Sequence, residues 1–180
     1  MLEQIVEGYE LSPQQKELWR VMQRTVDHEF AVTCEVRIEG FVDHAQLAQA
    51  VDQVLARHEI LRTNYEQVAG LSYPLQVIGE RVSNSVDVSW SESGEATVMT
   101  IKLGAMSADR QSLHNLVQEI AVTYAAREET PAPYLQYADA SEIFNELVAS
   151  ESGREHWESV KAAEVREPEL PFARGTTASG

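Results

Sequence analysis

A single cysteine, Cys34, stands in the 180 residues, so no internal disulfide can form, and a cytoplasmic setting is the simplest expectation. No run of roughly eighteen or more apolar residues occurs, which is the length a membrane-spanning helix needs. The opening MLEQIVEGYE has no basic stretch ahead of an apolar one, so it does not read as a secretory signal. Positive charge is scarce: 14 Lys and Arg face 29 Asp and Glu, for a formal net charge of -15. Nucleic-acid affinity comes largely from neutralising phosphates, so nucleic acid is not an expected partner. Anionic membrane surfaces are disfavoured for the same reason. His28, His44 and His156 lack clustering or ligand-like spacing, so no metal site is expected. Ser107 has no nucleophile-elbow pattern around it and no nearby base in sequence. No internal repeat is present.

What the chain does contain is a succession of short periodic segments. Residues 12–26 read as a helix, with Ser12 as cap, Pro13 at the first helical position and Leu18, Met22 and Val26 on one stripe. Residues 31–38 alternate, with Val32, Cys34, Val36 and Ile38 facing one way, as in a half-buried strand. Asp43 followed by Gln46 opens a second helix, whose buried face is Leu47, Val51, Val54 and Leu55. Short strands are expected at 60–66, 74–78, 85–90 and 96–103, with turns at Ala69-Gly70 and Ser91 to Gly94. A third helix follows, with Leu113, Leu116, Val117, Ile120, Ala121 and Tyr124 on one face. After Pro131 and Pro133, Asp139 with Glu142 opens another helix, and a shorter one surrounds Trp157 and Val160. The order indicates an α/β sandwich with one mixed sheet packed by helices. The end of the chain, ARGTTASG, reads as a linker or tail.

Several segments, taken in order, resemble the condensation domains of nonribosomal peptide synthetases. LSPQQKELW, Leu11 to Trp19, is similar to that family's opening motif, and RHEILRT, Arg57 to Thr63, to its next motif. LGAMSADRQS, Leu103 to Ser112, stands where the family places an HHxxxDG loop, and Tyr134 to Ala138 resembles its YxDYA stretch. The resemblance implies a chloramphenicol acetyltransferase-like two-layer sandwich. It covers the first of the family's two lobes, over residues 1–172, with 173–180 as linker. One departure stands out: the family's additional helix and strand ahead of the loop are replaced here by Ser89 to Thr97 alone.

Amide formation from an amine and a thioester needs a group that takes up or directs a proton near neutrality. The family's second histidine suits this, with an unperturbed pKa of roughly 6.5. Aligning on Asp109 puts Gly104 at the first histidine position, Ala105 at the second and Arg110 at the motif's glycine. A methyl group cannot exchange a proton. Of the other histidines, His114 reads as an exposed helical residue and His58 as a packed residue at a helix–strand junction. The resemblance also implies a buried ion pair between Arg62 and Asp109, whose breaking would cost about 3–5 kcal/mol. Asp109 equally suits the cap of the helix that follows.

Lys16, Arg20 and Arg24 form a basic stripe at four-residue spacing, either a partner-recognition face or a solvated one. Met99, Ile101 and Leu103 read as core. The resulting expectation is a non-catalytic condensation-like half-domain of a peptide-synthetase or hybrid polyketide assembly line, serving as structural linker or as docking and recruitment platform. Its expected partners are adenylation or carrier domains, or a tailoring enzyme. No directly bound cofactor is expected, although a carrier protein's phosphopantetheine could visit. The alternative is the first half of an amide-forming acyltransferase that requires a second lobe.

Overall fold

The computed structural model describes residues 8–25, 30–126 and 135–162. Its first element is a two-residue strand, β1 (Tyr9–Glu10), followed by α1 (Pro13–Arg24). The helix starts where it does because Ser12 and Gln15 cap each other. The Ser12 hydroxyl accepts from the Gln15 backbone N–H at 3.2 Å, and the Gln15 side-chain oxygen accepts from the Ser12 N–H at 2.9 Å. β2 (Ala31–Glu39) leads to α2 (His44–Arg57), whose N-cap Asp43 accepts from the N–H groups of Ala45 and Gln46. The Gln46 side chain does not close a reciprocal box. It donates to the Tyr124 carbonyl, while the Tyr124 hydroxyl accepts from the Asp43 N–H.

A 3-10 turn at Glu59–Arg62 occupies the first part of the stretch expected as strand, and β3 is confined to Thr63–Glu66. β4 (Leu75–Ile78) lies between β1 and β3, giving a first antiparallel sheet of order β1-β4-β3. β5 (Val86–Ser93) and β6 (Ala96–Gly104) join β2 in a second antiparallel sheet, of order β2-β6-β5. The single mixed sheet expected from element order is thus two three-stranded antiparallel sheets, still packed by helices. The turn expected across Ser91 to Gly94 narrows to Gly94-Glu95, because Gly94 supplies a φ of 66° and lets Ser93 pair with Ala96.

α3 (Arg110–Ala126) and α2 cover one face of the second sheet. The core between them holds Leu47, Val51, Val54 and Leu55 from α2, Met99, Ile101 and Leu103 from β6, and Leu113, Leu116 and Ile120 from α3. On α3 the buried face is turned slightly from the expected one: Thr123 is buried and Ala121 exposed. α4 (Tyr137–Ala149) buries Ala138 and Ser141.

The chain divides into two compact units, residues 1–145 and 146–180. In the second, α5 (Glu151–Ala162) starts at Ser150, whose hydroxyl accepts from the Gly153 N–H at 3.0 Å. Trp157 and Val160, expected on this helix, lie on it and are exposed. The boundary expected at residue 172 lies outside the described residues. Ile101 has no exposed surface and sits at the centre of the core. Ile101→Ala is expected to lower unfolding free energy by about 2–5 kcal/mol and Ile101→Val by about 0.5–1.5 kcal/mol, read from urea midpoints at unchanged m-value.

Candidate functional site

β6 ends at Gly104, and the chain turns tightly before α3. Ala105 N–H donates to the Phe30 carbonyl at 2.9 Å, and the N–H groups of Ser107 and Ala108 donate back to the Gly104 carbonyl. From below, a polar cluster holds this loop. The Gln15 side-chain amide donates to the Met106 carbonyl at 3.0 Å and to Gln76 Oε1 at 3.1 Å. The Tyr65 hydroxyl donates to the same Met106 carbonyl at 2.9 Å, accepts from Gln15 at 3.2 Å and lies 3.1 Å from the Ser107 hydroxyl. Burial, the largest cause, pushes the Tyr65 phenol up to about 12.

The loop forms one wall of a cavity of about 520 Å³. Leu18, Ile60 and Phe144 line it on the apolar side, and Asp109, Ser112, Asn115 and Glu119 place one polar stripe of α3 on the other. His58 also lines the cavity. Its Nε2 lies 2.9 Å from Glu119 Oε2, the oxygen that accepts from the Arg57 guanidinium at 3.0 Å. His58 therefore ties the C-terminal end of α2 to α3, which fits the junction role expected for it. It also places an imidazole in the cavity that Ala105 faces.

Each loop residue singled out from sequence has a definite place. Ala105 is half-buried in the cavity wall. Gly104 packs against Ser85, the residue ahead of β5: a Cβ added there would lie 3.0 Å from the Ser85 Cβ. Arg110 is the first residue of α3 and exposed, and its helical backbone does not call for the positive φ that a glycine would serve. His114 is exposed on α3, as expected, with Gln118 3.1 Å away.

The expected ion pair between Arg62 and Asp109 is not formed. Asp109 is exposed and caps α3. Its Oδ1 accepts from the Ser112 N–H and hydroxyl, each at 2.8 Å, and the Ser112 hydroxyl accepts from the Asp109 N–H at 3.3 Å. These bonds, the backbone one foremost, hold the Asp109 carboxyl below the usual carboxylate range. Arg62 instead donates to the Gly79 carbonyl, and its buried Nε has no partner among the described residues. The physical reason is competition. A helix start offers a carboxylate two local donors at no conformational cost, whereas Arg62 is already drawn into the turn that follows β4.

The basic stripe on α1 is partly spent. Lys16 donates to Glu10 at 3.0 Å and to Asn145 at 3.1 Å, and Arg20 donates to Glu17 at 2.9 Å while lying 5.3 Å from the Tyr73 ring centre. Arg24 is exposed. Among the described residues no group of three or more His, Cys, Asp or Glu is placed to hold a metal ion. No described helix is long and apolar enough to cross a membrane. Sequence reading passed over Gln15, Tyr65 and Glu119. For Glu119 a signal existed, because 109, 112, 116 and 119 recur on one helix face, but its partners come from α2, which no local pattern reveals.

The family described as Condensation domain matches residues 5–103. The chain is 26% identical to surfactin synthase subunit 2 of Bacillus subtilis over 200 residues, covering 91% of this chain and 5% of that protein. It is similar in structure to the condensation domain of the Monacolin K polyketide synthase MokA, with a TM-score of 0.78 and 16% identity over 91% of this chain and 44% of that one. A chain of the complex of the X-domain and OxyB from teicoplanin biosynthesis matches with a TM-score of 0.70 and 21% identity, covering 94% of this chain and 46% of that one. This chain thus spans about half of those solved chains and a small fraction of the synthase. At these identities the structural likeness establishes the fold, which is chloramphenicol acetyltransferase-like.

Two measurements check the site. Asp109→Ala is expected to cost about 1 kcal/mol, the loss of a cap, and not the roughly 3–5 kcal/mol of a broken buried ion pair. Because the folded carboxyl is depressed, its contribution is whole above the ordinary carboxylate range and is lost as pH falls through the folded value. The variant's deficit therefore shrinks in acid. For Tyr65, whose folded value is raised, the contribution is whole below the ordinary phenol value near 10 and is lost as pH rises toward about 12. Tyr65→Phe should flatten that alkaline decline in denaturant titrations.

Proposed function

The chain belongs to the condensation-domain family, and we propose that it works in a peptide-synthetase or hybrid polyketide assembly line as a non-catalytic docking or recruitment platform. The observation that carries this reading is Ala105. The residue aligned with the family's second histidine faces the cavity with a methyl group, which can neither take up a proton nor direct an amine. Position 104 carries no imidazole either, and a side chain there would press on Ser85, with an added Cβ 3.0 Å from the Ser85 Cβ. The loop is nevertheless held at Met106 by two side chains, as a surface kept for its shape would be.

One observation favours the rival reading of an acyl-transferring half-domain that needs a second lobe. His58 lines the same cavity, so an imidazole is present. Its Nε2 is engaged by Glu119, and the Arg57 side chain sharing that carboxylate is only 6% exposed. That arrangement suits a strut between α2 and α3 better than a free base.

Partners follow from the family and from the surface. A neighbouring adenylation or carrier domain, or a tailoring enzyme, suits a module of this kind, and one structural relative is known in complex with OxyB. The cavity lining carries two carboxylates and no Lys or Arg, so the phosphate of a visiting phosphopantetheine arm finds no counter-charge inside it, whereas its amides meet Asn115 and Ser112. The exposed part of the basic stripe, Arg20 and Arg24, is the proposed docking face for an acidic partner. A cytoplasmic setting accords with such a role.

The test uses the complete parent polypeptide with loaded carrier domains. No amide product above the protein-free background is expected. Amide formed by the native polypeptide and abolished by His58→Phe would overturn the proposal. In parallel, Arg20→Glu with Arg24→Glu should weaken a cognate partner roughly two- to thirtyfold, as the loss of two exposed rim charges does. Unchanged binding to adenylation, carrier and tailoring partners alike would remove this face.

A further inference from the structure

β2 (Ala31–Glu39) is an edge strand. It pairs with β6 along one side through all 9 of its residues, and no described strand pairs with its other side. Among the described residues, no turn or loop supplies a backbone hydrogen bond to it either. A long free edge is a template for another strand, and proteins ordinarily blunt it with proline, a bulge or a short span. β2 has none of these. Its sequence AVTCEVRIE lacks proline, and its register with β6 is unbroken from Ala31 to Glu39.

The core stays open along the same strand. On β6, Met99, Ile101 and Leu103 are buried, whereas their β2 partners Val36, Cys34 and Val32 are only half-buried. A groove of about 510 Å³ lies between these three and α3, with Leu113 and Val117 in its far wall. Unpaired backbone and unfinished apolar packing therefore occur together. An added strand uses both, taking affinity from main-chain bonds and fit from its alternate side chains.

The solvent-facing charges of β2 indicate which strand fits. Thr33, Glu35, Arg37 and Glu39 are exposed. If β2 pairs antiparallel with a copy of itself about a two-fold axis at Val36, Arg37 stands opposite the copy's Glu35, and the symmetry makes that pair twice. In the same register Thr33 meets Glu39 and Cys34 meets Ile38. An axis at Glu35 would set that carboxylate against itself, and one at Arg37 would oppose two arginines. An axis at Cys34 would make no pair of opposite charges and would bring two thiols together. Opposite charges directly across a strand pair stabilise it, and like charges destabilise it. Arg37 is lightly held, since Glu39 lies 3.7 Å away and both side chains are exposed. We propose that this chain forms a symmetric dimer in which β2 pairs antiparallel with β2 of a second copy about Val36, joining the two three-stranded sheets into one.

The experiment follows the mass of the full 180-residue chain by sedimentation velocity over a concentration series. Each copy carries a net charge of -15, so roughly 0.15 M salt is used, which screens repulsion beyond about 8 Å. A monomer–dimer equilibrium is expected. Arg37→Glu and Glu35→Arg, each placing like charges opposite one another at two symmetric points, should each weaken the dimer by roughly tenfold. Far-UV circular dichroism should not change, because both side chains face solvent. The double variant, with the two charges exchanged, should return the dimer constant to within about threefold of native. A chain that stays monomeric throughout overturns the proposal and leaves the edge to a partner's strand. A dimer that the single variants leave intact, or that the double variant fails to restore, also overturns it. So does a Cys34–Cys34 disulfide formed in the dimer under mild oxidation, which would put the axis at Cys34.

Discussion

One buried carboxamide holds the candidate site together. Gln15 is 3% exposed, and its oxygen closes the N-terminal cap of α1 while its nitrogen reaches the loop carbonyl of Met106, the Gln76 side chain on β4 and the Tyr65 hydroxyl on β3. A side-chain amide has two N–H groups, so these three acceptors share them. A helix start, the first sheet and the loop that leaves the second sheet thereby become one polar unit. Such a unit is unforgiving: with one member removed, the others remain buried and unpaired, at about 1–3 kcal/mol each. It makes the place of the Met106 carbonyl depend on side chains from α1 and β3, and not on the side chains at the loop's own tip.

That separation explains how the loop tolerates its present sequence. The hydrophobic core lies between β6 and the helices α2 and α3 and ends at Leu103, and the polar unit takes over at Met106. Gly104 and Ala105 fall between the two. Gly104 is committed to close packing against Ser85, whereas Ala105 faces the cavity. A methyl group at 105 therefore leaves the support that the loop takes from the core and from the polar unit untouched.

The local elements were largely legible from the chain order. Ser12 and Pro13 mark the start of α1, Asp43 marks that of α2, and Val32 to Ile38 alternate as a strand should, because capping and side-chain period act within a few residues. The core residues of β6 were legible for the same reason. Less legible was the role of Asp109. Sequence allowed both an ion pair with Arg62 and a helix cap, and only the positions of Ser112 and Gly79 decide between them. The strand expected from residue 60 begins at Thr63, because the chain leaving α2 first makes a 3-10 turn, which costs little and has no strong residue signature.

Sequence by itself determined the family, the helix caps, the apolar faces and the absence of an imidazole at position 105, since each is written in neighbouring residues or in residue identity. Tertiary structure alone decided that the strands form two antiparallel sheets, that His58 meets Glu119, that Gln15 meets Met106 and that no hydrogen-bond partner among the described residues reaches the Thr123 hydroxyl. These join groups separated by tens of residues, or depend on what a neighbouring helix fails to offer. No periodicity along the chain encodes which distant donor will arrive beside which acceptor; packing sets that.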